Sequence, residues 1–417
     1  MKSIDKIKIV IIVLAVCIAS VSLFWAASSL LKTEKDEPPV IEPEASSSLP
    51  EVKPEVIEDK TIRLMATGDN LIHDSIYRQA EKNARANGAD GFDFTAVYEH
   101  IEPVIAMADI AYLNQETIIA EKLFPLSGYP MFNSPEAVGH HMAGMGFNVV
   151  GIANNHMFDK GEEGLIAALD FWESLDVQVF GAWRNEEAMN EPIITEKDGI
   201  KIAWVPITEH TNGLALRQDT QVRYILTDER ELIKQQVELA KANADIVIVV
   251  PHWGSEYSTE ANDNQIELAQ LFADWGVDLV LGSHSHTLQP MEWRTGTGGN
   301  RTLVVYSLGN LVGSMLYPQN MLGGILDIDI TKDGETGEVE ISRAEMRPVV
   351  IHYEGYAENL RVYPFGDYTD ELVKKHGIVQ LAANYDVYIM PGLFSIDYMT
   401  GIIKKNIPEE FRENTPL

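Results

Sequence analysis

The chain is 417 residues long, 45% hydrophobic, and carries a formal net charge of −31. That length holds one large domain with a full core plus an appendage. The acidic balance excludes a nucleic-acid partner and repels any anionic polymer unless cations intervene, while the single cysteine, Cys17, excludes an intramolecular disulfide.

In chain order, the first predicted element is an apolar run without charge at residues 9–31, long enough to cross a bilayer as a helix. Lys2, Lys6 and Lys8 precede it, so the positive-inside rule places the N-terminus in the cytoplasm and the rest outside. A signal peptide cleaved near Ala26-Ala27-Ser28-Ser29 is the alternative; the uninterrupted length favours a single-pass cell-membrane anchor. Residues 32–60 are rich in Pro, Glu, Ser and Lys and predict a disordered, solvated spacer.

From residue 61 the pattern alternates between apolar strands and amphipathic helices. Strands are predicted at 62–66, 109–113, 147–152, 202–205, 245–250, 278–281 and 303–306. Helices are predicted at 94–107, from Pro135 to about 144, and at 162–175, 229–243 and 262–275. This alternation is that of an α/β domain whose site lies at the strand ends. After Gly323 a hairpin around Lys332-Asp333-Gly334 is expected, then a packing subdomain with a helix at about 369–383. The expected organisation is thus anchor 1–31, spacer 32–60, main domain 61–320 and C-terminal extension 321–417.

Six polar clusters fall where strands should end: Gly68-Asp69-Asn70, Asn114-Gln115-Glu116, Asn154-Asn155-His156, His252-Trp253-Gly254-Ser255-Glu256, Gly282-Ser283-His284-Ser285-His286 and Ser307-Leu308-Gly309-Asn310. The first five offer oxygen and imidazole donors of the kind that hold a pair of divalent metals. Each alone is a weak signal, because a Gly-Asp is often a turn and a lone His is often a core residue. Gly-x-His-x-His is stronger, since alternation can aim two imidazoles at one point.

These elements, in this order and with Asp159 and Gly161 after Asn155-His156, resemble the CapA/PgsA capsule-synthesis family, within the calcineurin-like metallophosphoesterase superfamily. The resemblance covers about residues 61–314. It implies a four-layer αββα sandwich with a binuclear site at its strand ends and a role in poly-γ-glutamate capsule synthesis or export. Carried over by motif, Asp69 and His286 would bind one metal, and Asn155, His252 and His284 the other, with Glu116 bridging. His156 would protonate the leaving group, with Asp159 placed to hold its imidazole. The mixed oxygen and nitrogen ligands suit Mn, Fe or Zn without choosing among them. Asn114, Asn154, Glu256, Ser307 and Asn310 are expected in supporting positions. Glu256 would orient His252 or remain a solvated acid, and Ser307 and Asn310 would cap a strand-to-turn junction.

One position departs from the superfamily pattern. Leu71 stands where a histidine commonly joins the aspartate on the first metal, leaving His73 or the Asn70 carbonyl as substitutes. His140-His141 is expected at a surface or in packing, and His210 to end a strand, with packing favoured over a pocket role. Two functions follow: a metal-dependent phosphoesterase, or a non-catalytic accessory subunit binding anionic polymer through its metals. Expected partners are the cytoplasmic membrane and capsule-polymer synthase subunits or the polymer itself.

Overall fold

The structure is a computed structural model that describes residues 58–384 and 394–412. Both the apolar run at 9–31 and nearly all of the spacer lie outside these residues. Among the described residues no helix is long and apolar enough to cross a membrane.

The first sheet begins with four parallel strands, β1 (Lys60–Asn70), β2 (Ile110–Asn114), β3 (Val149–Gly151) and β4 (Gln178–Phe180). Helices α1 (Asp74–Ala86), α2 (Glu136–Met145) and α3 (Gly161–Glu173) lie in the crossovers. A second, six-stranded sheet follows, made of β5 (Ile193–Lys197), β6 (Ile200–Thr208), β7 (Ile246–His252), β8 (Leu279–Leu281), β9 (Met291–Thr295) and β10 (Arg301–Val305). Its crossovers carry α4 (Arg230–Asn243) and α5 (Asp263–Trp275). The chain then returns to the first sheet through β11 (Asn310–Val312), β12 (Leu322–Lys332), β13 (Val339–Glu354) and β14 (Glu358–Pro364).

Side-chain alternation in the second sheet shows how the layers stack. Ile202, Trp204, Ile246, Ile248, Leu279, Leu281, Leu303 and Val305 join the core shared with the first sheet. Their neighbours Ala203, Val205, Val247, Val249, Val280 and Val304 join a separate core with Ile233 and Val237 of α4 and Leu268 and Phe272 of α5. A strand with two apolar faces needs cover on both, so the sheets face each other and helices close the outside. Trp204 stacks at 5.5 Å on Tyr112 and 5.4 Å on Phe180 across the inner interface. The expected sandwich of two sheets is therefore present.

Two expectations are corrected. The helix at 94–107 is two single turns, Thr95–Tyr98 and Glu102–Ile105. Pro103 has no N–H to donate, which suits the first turn of a new helix but not the interior of one. The helix at 369–383 is broken into α6 (Asp370–Lys375) and α7 (Gly377–Asn384) by His376 in extended conformation. His376 Nδ1 accepts from Ile378 N–H at 3.0 Å, and its Nε2 lies 3.1 Å from the Ile351 carbonyl oxygen. The hairpin near Asp333 forms, but it is built into the first sheet. There β12 pairs antiparallel with β1 from Lys60 to Thr67, so strands β12 to β14 complete the first sheet of the main domain.

The helix α5 starts at a reciprocal cap: Asn262 Oδ1 accepts from Gln265 N–H and Gln265 Oε1 accepts from Asn262 N–H. This cap ends the loop that begins at His252. Asn262→Ala should lower stability by about 1 kcal/mol, read as a reduced urea midpoint with unchanged slope.

Candidate metal centre

All the strands that deliver site residues end on one edge of the sandwich. Asp69 lies at the end of β1, where the register with β2 shifts between Thr67 and Asp69. A bulge of this kind re-aims a side chain. Gly68 permits it, because a Cβ there would meet the Gly309 carbonyl oxygen at 1.9 Å. Glu116 follows β2, Asn155 and His156 follow β3, His252 ends β7, and the Gly282–His286 turn follows β8.

Two donor groups form, sharing one residue: Glu116 with His252 and His284, and Glu116 with Asp69 and His286. All five residues are buried. In the first group His252 Nε2 lies 3.1 Å from His284 Nδ1, 2.9 Å from Asn155 Oδ1 and 3.6 Å from Glu116 Oε1. In the second, His286 Nε2 is 3.6 Å from the same Glu116 oxygen, and His286 Nδ1 is 3.0 Å from Asp69 Oδ2. Both histidines of the Gly-x-His-x-His turn have positive φ, 91° at His284 and 57° at His286. Side chains with a Cβ rarely adopt this region, and such strain clusters where structure over-determines a site.

The electrostatics suit a candidate cation site. Burial pushes the Glu116 carboxyl well above its ordinary range. It likewise drives His252 and His284 well below theirs, aided by the neighbouring imidazoles, which leaves them neutral with nitrogen lone pairs available. For His286 burial acts downward, but the Glu116 and Asp69 carboxylates outweigh it and raise the imidazole to about 9. Both oxygens of Glu116 lack any hydrogen-bond partner. A buried carboxylate in that state is costly unless a cation joins it, so the donor set fits divalent metal.

Surrounding groups fix the donors. Asn114 Nδ2 donates to Asp69 Oδ1 at 2.7 Å, and Asn310 Oδ1 lies 3.0 Å from His286 Nδ1. Asn310 is thus an orienting partner rather than the cap expected of it, because β11 pairs with β1 and sets Asn310 beside Asp69. Ser307 does cap the turn, accepting from Gly309 N–H at 3.1 Å. Asn154 ties the loop together, donating to the Gln115 carbonyl oxygen and accepting from His156 N–H. His156 Nδ1 is 2.8 Å from Asp159 Oδ2, and that oxygen also accepts from Phe132 N–H.

Glu256 does not orient His252. Ser283 Oγ takes that position, 2.8 Å from His252 Nδ1, while Glu256 stays exposed at the mouth. Neither substitute for the ligand missing at Leu71 reaches the centre. Leu71 is 2% exposed, packed as a core residue. His73 Nδ1 accepts from Ser314 N–H at 3.3 Å and belongs to neither donor group. The Asn70 amide is held at 2.7 Å by both Tyr98 and Gln115. His210, expected to pack, is exposed and edge-on to His284 at 4.9 Å. His140 is exposed on α2 against Phe171, as expected of a surface residue.

Sequence reasoning missed Ser283, Phe132 and Asn212. Asn212 has φ 51° and brings its amide to within 3.3 Å of Asn155 and 3.5 Å of His156. Ser283 was discoverable as the residue between Gly282 and His284 in the Gly-x-His-x-His element; Asn212 sits in a loop with no strand-end signal.

The family model for the bacterial capsule synthesis protein PGA_cap matches residues 63–315, an interval containing every donor above. The chain is 29% identical over 280 residues to the PGA biosynthesis protein CapA of Bacillus subtilis (strain 168), spanning 66% of this chain and 69% of that one. It is 30% identical over 171 residues to the capsule biosynthesis protein CapA of Bacillus anthracis, 40% of each chain. Among solved structures it is similar to the calcineurin-like phosphoesterase YfkN from Bacillus subtilis, at 14% identity and a TM-score of 0.41, over 83% of this chain and 100% of that one. Because the family model spans more than half of its length, the chain belongs to the bacterial capsule synthesis family PGA_cap.

Proposed function

We propose that this protein is a membrane-anchored, extracytoplasmic, metal-dependent phosphoesterase acting in capsule or poly-γ-glutamate synthesis or export. The observation that carries the reading is Glu116, a buried carboxylate with no hydrogen-bond partner standing between two sets of donors. The apolar run at 9–31 behind three lysines supports the anchor. The membrane and capsule-polymer synthase subunits are the partners this location implies.

Two divalent ions are the proposed cofactors, one on Asp69, Glu116 and His286, the other on Glu116, Asn155, His252 and His284. When bound, such ions polarise phosphoryl oxygens and lower the pKa of water to near neutrality. The chain's own residues supply the rest. Asn114, Asn310 and Ser283 lock the orientations of Asp69, His286 and His252, so little reorganisation accompanies the reaction. As water replaces the alcohol at phosphorus, the bond to the leaving oxygen breaks and His156 Nε2 gives that oxygen its proton. Asp159 accepts from Nδ1 and holds the imidazolium charge.

The test is hydrolysis of 4-nitrophenyl phosphate by the purified full chain with Mn²⁺. His156→Ala should lower kcat by about 10²- to 10⁴-fold with bound metal unchanged by elemental analysis. Turnover that survives His156→Ala would refute this assignment. A second reading, a non-catalytic subunit that binds anionic polymer, is favoured by Leu71, which leaves the first ion only three protein donors. Stoichiometric metal without turnover by the wild type would select it.

A further inference from the structure

Aromatic rings flank the metal centre on two sides, and the mechanism above uses none of them. Beside His156, Phe132 stands edge-on at 4.7 Å, and Tyr129 lies 6.3 Å beyond Phe132. Beside His286, Tyr257 lies at 6.1 Å and Tyr317 packs on Tyr257 at 5.3 Å. These tyrosines are open to solvent, Tyr129 by 78%, Tyr317 by 45% and Tyr257 by 39%. Tyr257 and Tyr317 thus form a pair on the His286 side, and Phe132 with Tyr129 a pair on the His156 side.

Tyr257 is the most constrained of them. Its φ is +65°, a region where a bulky side chain is an outlier. Its N–H donates at 2.7 Å to the Ser285 carbonyl oxygen, between the two histidines of the His-x-His turn. The ring is therefore fixed relative to the donors it overlooks. Burial and the Glu256 carboxylate push its hydroxyl up to about 12, which keeps it neutral.

On the His286 side the groups nearest the rings are acidic: Asp69 at 3.0 Å and Glu116 at 3.6 Å from His286, and the exposed Glu256 next in sequence to Tyr257. Glu256 would repel a second anionic group on a substrate seated against Tyr257.

We infer that Tyr257 and Tyr317 form a subsite for the neutral, ring-bearing leaving group of a phosphoester whose single phosphoryl group lies over the metals. The inference rests on the phosphoesterase reading and narrows its substrate class to organic esters with a flat apolar moiety. Tyr257 is a positioning residue: rings stack on its face, and its backbone ties that face to the turn.

The test uses phosphonates, which cannot be hydrolysed, so binding is read independently of turnover. With Mn²⁺-loaded full chain, calorimetry should give phenylphosphonate an affinity about 5- to 10-fold tighter than methylphosphonate. Tyr257→Ala and Tyr317→Ala should each reduce that preference and leave methylphosphonate binding unchanged, while Tyr257→Phe retains it. Bound Mn²⁺ is measured in every variant, and Tyr317→Ala carries the test if Tyr257→Ala disturbs the histidine turn. Equal affinity of the wild type for the two ligands, or a preference that survives the Tyr317 substitution, overturns the subsite. Failure of the metal-loaded protein to bind either phosphonate removes the phosphoesterase reading and the subsite together.

Discussion

Glu116→Gln is expected to abolish metal binding and turnover while leaving the metal-free protein as stable as before, or more so. Removing an acidic residue from a cluster that already contains histidines would ordinarily weaken a fold. Here the sign is reversed, because the carboxyl is buried without a hydrogen bond and burial holds its pKa well above the usual range. A group with a raised folded pKa favours folding most below its unfolded pKa, and that contribution is lost as pH rises through the folded value. At pH 8 the metal-free wild type therefore retains a penalty that the neutral amide removes. His286 keeps Asp69 as its close partner at 3.0 Å, whereas Glu116 stands at 3.6 Å. Wild type should gain about 2.7 kcal/mol when Mn²⁺ is present at a hundred times its dissociation constant, and the variant should gain none. Thermal unfolding of both proteins with EDTA and with Mn²⁺ reads both halves. A metal-free variant markedly less stable than wild type would mean that Glu116 is an ordinary ion-pair partner.

The donors themselves were legible in the sequence because each is tied to a strand end, and strand ends are a local pattern. Asp69, Glu116, Asn155, His252, His284 and His286 all reach one place. What orients them was less legible. Ser283 displaces Glu256 as the partner of His252 because the turn after β8 pairs with the end of β7, bridging His252 to Ser283. That pairing depends on which strands are neighbours, and no local window contains it. Asn310 gains its role in the same way, through the return of β11 to the edge of β1. In the fold, the apolar segments were recognisable as strands, but their division between two sheets was not. A strand buried on both faces reads as continuously apolar, and only contact with Trp204 or with α5 distinguishes its faces. The long antiparallel β12 and β13 read as an extension because a hairpin is a local pattern, while the partner that matters, β1, lies more than 250 residues away.

The same antiparallel addition generates the second large effect, at Asp327. This residue lies in the middle of β12 on the face opposite Leu326 and Ile328, and its side chain is fully buried. Three guanidiniums converge on it. Arg63 from β1 donates at 2.8 and 2.6 Å, and from β13 Arg343 donates at 2.7 Å and Arg347 at 2.8 Å. Burial alone would raise this carboxyl, but the hydrogen bonds from the three arginines outweigh it and hold it far below the ordinary range. Asp327→Asn keeps the shape and removes the charge that joins the three strands; Arg63 loses its carboxylate partner, while Arg343 keeps Asp329 and Arg347 keeps Glu345. Breaking a buried pair costs about 3–5 kcal/mol. The arginine side chains are 27%, 32% and 30% exposed and Asp329 and Glu345 remain beside two of them, so the low end of that range, about 3 kcal/mol, is the expected loss. The pH dependence has a definite sign. A depressed folded pKa gives stability that is complete above the unfolded value, near 4, and is lost as pH falls below it. Urea unfolding at pH 7 and pH 3 should therefore show the wild type losing much of its advantage over Asp327→Asn in acid. An equal gap at both pH values would show that the carboxylate charge is not what joins the three strands.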